Sequence, residues 1–125
     1  MQRQAISQAN AEGAVLTKAA VNAAERLGLT ARLLSSVIGV SEATVSRLKR
    51  QDVLLEHGTK PFELAVLLVR LFRSLDAITG GDEAVSRAWM TADNSALGAR
   101  PVDRIVSISG LVDVLAYLDA RRALV

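Results

Sequence analysis

Apolar residues recur at helical spacing along most of this 125-residue chain, and glycines or capping residues separate the apolar segments. In residues 14–27, for instance, Val15, Ala19, Ala23 and Leu27 fall four apart, which places them on one face of a helix. Aromatic residues make up only 3% of the chain, and a core rich in Leu, Val and Ala favours helices over a sheet. The pattern predicts an all-α fold with helices over about residues 14–27, 31–38, 42–50, 62–79, 83–90 and 108–122.

Residues 29–50 have the sequence form of a helix-turn-helix. Gly39 allows the positive φ that a sharp turn requires, and Ser41 is suited to cap the helix that follows. Val45 and Leu48 lie three apart and are expected to point inward, which leaves a polar and basic face outside. The segment therefore predicts two short helices joined by a tight turn, with the second helix available for recognition.

In such a motif the second helix places its early side chains in the major groove of DNA. Arg47 has the planar fork that matches guanine O6 and N7, whereas Lys49 and Arg50 suit phosphates. The predicted DNA-contacting residues are Ser41, Thr44, Ser46, Arg47, Lys49 and Arg50. The alternative is an ordinary helical hairpin with a solvated basic end. One module makes few phosphate contacts, so specific binding requires a dimer on two half-sites one helical turn apart.

The predicted helix over residues 62–79 is apolar around much more than half of its circumference. Such a helix is buried on two sides, and in a chain this short the second side is expected to pack against another subunit. The predicted dimer interface consists of Leu64, Leu68, Leu71, Phe72 and Leu75. The alternative is that the same leucines belong to the core of one chain.

The formal net charge of +2 is unevenly distributed. Residues 1–51 carry seven Lys or Arg against three Glu, whereas residues 52–125 carry eight against ten acids. A basic front half and a mildly acidic back half suit two partners of different character. The chain has no cysteine, which excludes disulfides and fits a reducing cytoplasm. The most apolar segment, residues 64–75, is interrupted by Arg70 and Arg73, so no membrane span is predicted.

Candidate catalytic residues are scarce. His57 is the only histidine, and no Cys or suitably spaced carboxylate accompanies it as a metal ligand. The Gly80-Gly81 pair lacks the flanking residues of a phosphate loop, and no Ser/His/Asp set can be assembled. The sequence therefore predicts a protein that is not an enzyme and that holds no metal or cofactor.

The back half carries a W-x4-N-x-x-L-G-x-x-P pattern that begins at Trp89 and ends at Pro101, ahead of a C-terminal helix with Tyr117-Leu118-Asp119. This pattern resembles the C-terminal domain of Xre/MbcA/ParS-type antitoxins. In that family the domain follows an Xre-like helix-turn-helix, which is the order found here, so the resemblance covers about residues 14–125. Ala99 stands where the family commonly has a second glycine.

The resemblance implies a partner and a mechanism. Family members are encoded beside RES-domain toxins, which consume NAD⁺ or ADP-ribosylate a target. The antitoxin dimerises, covers the entrance to the toxin's active site and binds its own promoter. Carried onto this chain, the toxin-facing residues are Asn94, Leu97, Gly98, Arg100, Pro101, Tyr117, Arg121 and Arg122. The arginines would pair with acidic toxin residues or occupy a phosphate subsite. For Arg121 and Arg122, the alternative is a favourable interaction with the helix dipole.

The sequence thus predicts a cytoplasmic, homodimeric antitoxin that binds a RES-domain toxin and operator DNA, with no membrane association. Its expected parts are a flexible arm over residues 1–13, a helix-turn-helix domain over 14–60, and a dimerisation and toxin-binding domain over 61–125. The alternative function is a free-standing dimeric helix-turn-helix repressor without a toxin partner.

Overall fold

The computed structural model describes the backbone of residues 2–124 and the side chains of residues 8–124. Over this range the chain is helical, without a strand, which confirms the predicted all-α fold. The helices are α1 (Gln2–Leu27), α2 (Ala31–Ile38), α3 (Glu42–Arg50), α4 (Lys60–Thr79), α5 (Glu83–Thr91), α6 (Pro101–Arg104) and α7 (Ile108–Arg122).

Polar side chains define where most of these helices begin. Thr30, Ser41, Asp82 and Ser107 each accept a hydrogen bond from a backbone N–H in the first turn of the helix that follows, and the cap at Ser41 is the one predicted above. Each such cap stabilises a helix by about 1 kcal/mol. Gly39 ends α2 with a φ of 74°, in the left-handed region that favours glycine. The turn between α2 and α3 is therefore fixed by local chemistry.

The core is organised around α4. This helix packs against α1 and α2 on one side and against α5 and α7 on the other. A stripe of leucines on α7, formed by Leu111, Leu115 and Leu118, is buried there. Because helices of the same chain cover both sides of α4, its leucines are buried within a single chain.

That packing corrects the predicted dimer interface. Leu64, Leu68, Leu71 and Leu75 are between 0 and 6% exposed in the single chain, so they cannot form a contact with a second subunit. Phe72 is half-buried, and the Arg26 guanidinium lies 5.6 Å from its ring centroid. The all-round apolar pattern of α4 reflects cover by helices of the same chain.

The inward face of α5 includes a polar residue. Val85 and Ala88 are exposed, whereas Ser86 and Met90 are buried. The Ser86 hydroxyl lies 2.9 Å from that of Thr79 and forms a hydrogen bond with it. The hydrogen bond to Thr79 therefore allows Ser86 to occupy a buried position, while the apolar Val85 beside it is exposed.

The predicted N-terminal arm, residues 1–13, is helical from Gln2 onward, while Met1 lies outside the described residues. Gly13 lies inside α1 because the backbone of the α3–α4 loop approaches it closely. A Cβ at Gly13 would be 2.5 Å from the Leu55 carbonyl oxygen. The Thr17 hydroxyl joins the two segments, since it donates to the Gly13 carbonyl at 2.6 Å and accepts from the Leu55 N–H at 2.9 Å.

We expect Thr17→Val to destabilise the protein, because it leaves the buried Leu55 N–H without a partner. The loss in unfolding free energy should be about 1–3 kcal/mol, measured by urea unfolding followed by circular dichroism. Thr91→Val is the matched control, since the exposed Thr91 hydroxyl bonds only to carbonyls of its own helix. Equal losses in the two variants would show that Thr17 does not anchor the loop.

Candidate functional site

The α3 helix presents a polar face to solvent. Val45 and Leu48 are buried at 0% and 3% exposure, as the sequence predicts. The Ser46, Arg47 and Lys49 side chains are exposed. Two inward residues three apart therefore fix the rotation of the helix and leave its basic residues accessible.

Two of the predicted DNA-contacting residues, Ser41 and Thr44, form hydrogen bonds with each other at the start of α3. The Ser41 hydroxyl accepts from the Thr44 N–H at 3.0 Å and donates to the Thr44 hydroxyl at 3.0 Å. Thr44 is half-buried and lines a shallow cavity of about 330 Å³ between α3 and the following loop, which Arg47 also lines. Ser41 and Thr44 thus order the first turn of α3, and Thr44 faces sideways.

The basic residues at the end of α3 differ in how they are paired. The Arg50 Nε atom lies 2.9 Å from Asp52 Oδ2, and its terminal nitrogen lies 3.1 Å from the Ser46 hydroxyl. Within the described residues, neither Arg47 nor Lys49 forms an ion pair. Arg47 and Lys49 are therefore the cations of α3 that no carboxylate of the described residues neutralises.

Ala43 is an exposed residue that the sequence analysis did not include in the DNA-contacting set. It precedes Ser46, Arg47 and Arg50 by three, four and seven positions, which is the spacing of one helical face. Its methyl group is of the kind that contacts the methyl group of thymine in the major groove. The helical spacing could have identified it, but a search for polar residues passes over alanine.

The predicted toxin-facing loop follows α5. The Asn94 side-chain oxygen accepts from the Leu97 N–H at 3.2 Å, so Asn94 shapes the turn. Leu97 is half-buried and packs against the core, whereas Gly98 is exposed with a φ of 72°. Of these three residues, Gly98 is therefore the one that is fully accessible to a partner.

Two members of the predicted toxin set have roles within the chain. Pro101 is buried at the start of α6, which removes it from a contact surface; a proline there suits the first helical turn. Arg100 is exposed and forms two hydrogen bonds with Asp103, at 2.8 and 3.0 Å. The hydrogen bond from Arg100 is the main cause that lowers the pKa of the Asp103 carboxyl. Arg100 is therefore held in place by its own helix.

The C-terminal members of the set come together on α7. The Tyr117 ring stacks on Trp89 with ring centroids 6.2 Å apart and an angle of 17° between the planes. Arg121 folds back to donate to the Tyr117 hydroxyl at 3.1 Å, while Arg122 is exposed. The stack joins α5 to α7 and sets the position of Arg121.

An apolar surface near the start of α7 was missed in the sequence analysis. Val106, Ile108 and Val112 are 43%, 58% and 46% exposed. Ile108 and Val112 are four apart and lie along the edge of the buried leucine stripe of α7, because each precedes a buried leucine by three positions. The apolar stripe of α7 is therefore wider than its buried part, and the helical spacing could have identified these residues.

The two halves of the chain are linked by Arg26, near the C-terminus of α1, and by Arg87 on α5. Arg26 lies 3.7 Å from Asp76 on α4 and 3.9 Å from Glu83 on α5. Arg87 donates to the Glu25 carbonyl at 2.6 Å and pairs with Glu83 at 3.0 Å. Arg87 thereby binds a backbone carbonyl near the C-terminus of α1, where a positive charge is favourable.

In residues covered by the structure, no group of three or more His, Cys, Asp or Glu side chains is arranged to hold a metal ion. No helix in that part of the chain is long and apolar enough to span a bilayer. The lone His57 packs edge-on against Phe62, at 5.1 Å between ring centroids, and its Nε2 atom lies 3.6 Å from Glu12.

Comparison with protein families gives two adjacent matches. Residues 8–70 match the antitoxin Xre-like helix-turn-helix domain, and residues 74–123 match the antitoxin Xre/MbcA/ParS C-terminal toxin-binding domain. The chain belongs to the Xre/MbcA/ParS-type antitoxins, which confirms the resemblance predicted from the sequence. The comparison with curated proteins gave no match. The first match ends and the second begins within α4, so one continuous helix is shared by the two domains.

The arginine link predicts a measurable contribution to stability. Arg87→Met keeps much of the aliphatic stem but removes the donor to the Glu25 carbonyl. The unfolding free energy should fall by about 0.5–1.5 kcal/mol, measured by urea unfolding. Arg122→Met, at an exposed position on the last turn of α7, is the control. A loss no greater than that of the control would contradict the assigned role of Arg87.

Proposed function

We propose that this chain is the antitoxin of a RES-type toxin–antitoxin pair in the cytoplasm. It neutralises a toxin that consumes NAD⁺ or ADP-ribosylates a target by covering the active site, and it binds its own promoter. The observation that carries the proposal is the toxin-binding domain match at residues 74–123, directly behind a helix-turn-helix match. The RES identity of the toxin rests on the resemblance of the Trp89-to-Pro101 pattern.

On the DNA side, α3 is the recognition helix. Ser46 and Arg47 are exposed toward the middle of the helix, where side chains reach base edges. Lys49 and Arg50 at its end contact phosphates, and Arg50 exchanges its exposed pairing with Asp52 for a phosphate. Such an exposed ion pair is weak, so its loss costs little. A homodimer supplies two α3 helices for two half-sites, which gives the specificity that one helix lacks.

On the toxin side, the contact surface combines cations with the apolar start of α7. Arg100, Arg121 and Arg122 are exposed and suit acidic or phosphate-binding features of a toxin that uses NAD⁺. Ile108 and Val112 supply apolar area on the first turns of α7. Asn94 stabilises the turn of the loop through its hydrogen bond with the Leu97 N–H, and Tyr117 stacks on Trp89. Both contacts fix the shape of this surface. The antitoxin acts by stoichiometric occlusion and carries out no reaction itself.

The proposal is tested by co-expression with a neighbouring RES-type reading frame, pulling down on this chain and measuring cellular NAD⁺. Co-purification, together with a fall in NAD⁺ only when this chain is omitted, would support it. If the neighbour is harmless alone and does not co-purify, the toxin part of the proposal is wrong. The chain would then be a free-standing dimeric repressor, and operator binding alone would remain.

The DNA part predicts that Arg47→Ala weakens operator binding. A bidentate contact to guanine contributes about 1–3 kcal/mol, so affinity should fall roughly 10- to 100-fold. The measurement is a binding titration at fixed salt, because phosphate contacts make affinity depend on salt. Arg122→Ala removes the same charge on the other domain and should keep its affinity. If both variants bind equally well, α3 is not the recognition helix.

The toxin part predicts that Ile108→Glu abolishes neutralisation. Ile108 is 58% exposed, so the fold tolerates the charge, whereas burial of an unpaired carboxylate in a complex is costly. Toxin affinity should fall roughly 100-fold or more, measured by calorimetry and by cellular NAD⁺. Val53→Glu, at an exposed valine on the α3–α4 loop, should neutralise normally. Full protection by Ile108→Glu would exclude this face of α7.

A further inference from the structure

The first turn of α3 carries two exposed side chains that lie outside the DNA contacts assigned so far. Ser41 and Thr44 are hydrogen-bonded to each other, and Thr44 is half-buried. Glu42 and Ala43, which lie between them in the sequence, are both exposed. The early residues of a recognition helix are the ones that contact base edges in the major groove. In this turn, Glu42 and Ala43 are therefore the side chains that are free to do so.

The buried residues of α3 define which side of the helix each exposed residue occupies. At about 100° per residue, Val45 and Leu48 face the core, whereas Ala43 and Arg47 face away from it. Glu42 lies on the flank, roughly a quarter turn from either side. The major groove is about 12 Å wide, close to the diameter of a helix with its side chains. A helix in the groove therefore has DNA on this flank as well as in front of its outward face.

The charge of Glu42 is unusual for a side chain in that place. It is the acidic residue of α3, and it forms no ion pair within the described residues. DNA carries one negative charge per about 1.7 Å of helix axis, so a carboxylate beside it weakens binding. This repulsion is offset where the carboxylate accepts a hydrogen bond from a base. Glu42 thus penalises sequences that offer it no donor.

Stabilisation of the helix is the simpler role for a carboxylate in a first turn. The α2 helix shows that this motif does not require it, because α2 has no acid in its first turn and carries the exposed Arg32 there. Its cap is the Thr30 side chain, and α3 has the equivalent cap from Ser41. An acid at Glu42 is therefore better explained by what the helix contacts than by the helix itself.

We propose that Glu42 is a specificity-determining residue of the recognition helix and that it selects cytosine. In the major groove, cytosine presents its N4 amino group as a donor, and a Glu carboxylate is suited to accept from it. Guanine presents the acceptors O6 and N7, and thymine presents the acceptor O4 and a methyl group, so both repel a carboxylate. The inference rests on the proposed function, in which α3 enters the groove.

The spacing along α3 predicts where this cytosine lies. Arg47, which is proposed to bind guanine, follows Glu42 by five residues, or about 7.5 Å of helix rise. Bases on one strand are about 3.4 Å apart. The cytosine should therefore lie within roughly two or three base pairs of the guanine that Arg47 contacts.

The test is selection from a library of random-sequence duplexes at fixed salt, followed by sequencing of the bound fraction. The full chain is used alone and in complex with the partner that co-purifies with it. The wild type should enrich cytosine at one position near the guanine. Glu42→Gln should change the preferred base there to adenine, because a Gln amide pairs with adenine N6 and N7. The ratio of cytosine to adenine affinity should fall about tenfold or more.

Two further variants separate base selection from simple charge. Glu56→Gln removes the same charge from an exposed position on the α3–α4 loop and should leave every preferred base unchanged. Glu42→Ala should lose the preference at the one position. It should also bind random duplexes about two- to fivefold more tightly than the wild type, because a repulsive charge is gone. Circular dichroism verifies that each variant is folded.

The outcomes distinguish this inference from the proposed function. Base preferences that are the same in the wild type and in both Glu42 variants would overturn the inference, as would an equal change in Glu56→Gln. If Arg47→Ala still alters the preferred base at another position, the DNA part of the proposed function stands without it. If neither preparation of the wild type enriches any sequence, α3 does not read bases, and both fail together.

Discussion

The rest of the structure depends on the burial of α4 between helices of the same chain. Ala65, Leu68 and Leu71 are each 0% exposed, with α1 and α2 on one side and α5 and α7 on the other. Each buried leucine contributes about 1.5–3 kcal/mol, so this seam holds both domains together. Because α4 is continuous across the end of one family match and the start of the next, the helix-turn-helix domain and the toxin-binding domain share one helix.

Features set by local chemistry were predictable from the sequence. The caps at Thr30 and Ser41, the left-handed turn at Gly39, and the burial of Val45 and Leu48 all depend on residues within one or two helical turns. A residue's hydrogen-bonding groups and its place in a 3.6-residue repeat determine such features. The α3 helix was therefore predictable with its correct boundaries and its two buried residues.

Features that depend on distant partners were not predictable in the same way. A helix that is apolar all round must be covered, but its sequence does not say whether the cover comes from its own chain or from another. This is why Leu64 and Leu68 were assigned to a subunit contact. Gly13 and Pro101 were unpredictable for the same reason. Gly13 is required because the Leu55 backbone approaches it closely, and Pro101 is buried because the first turn of α6 packs into the protein. Helix-forming tendency alone gives no signal for either contact.

Arg26 on α1 and Arg87 on α5 add a second connection between the two domains, beside the shared α4. Arg26 and Arg87 bind groups on α1, α4 and α5 at once, so the start of the toxin-binding domain is fixed to the first helix of the DNA-binding domain. No irregular linker separates the two domains, since the boundary lies inside α4. In the proposed function, a toxin seated on the back half would hold a position relative to α3 that the shared helix sets. An effect of toxin on DNA affinity would then arise from steric fit, charge or the number of α3 helices in the assembly, because both domains pack on α4.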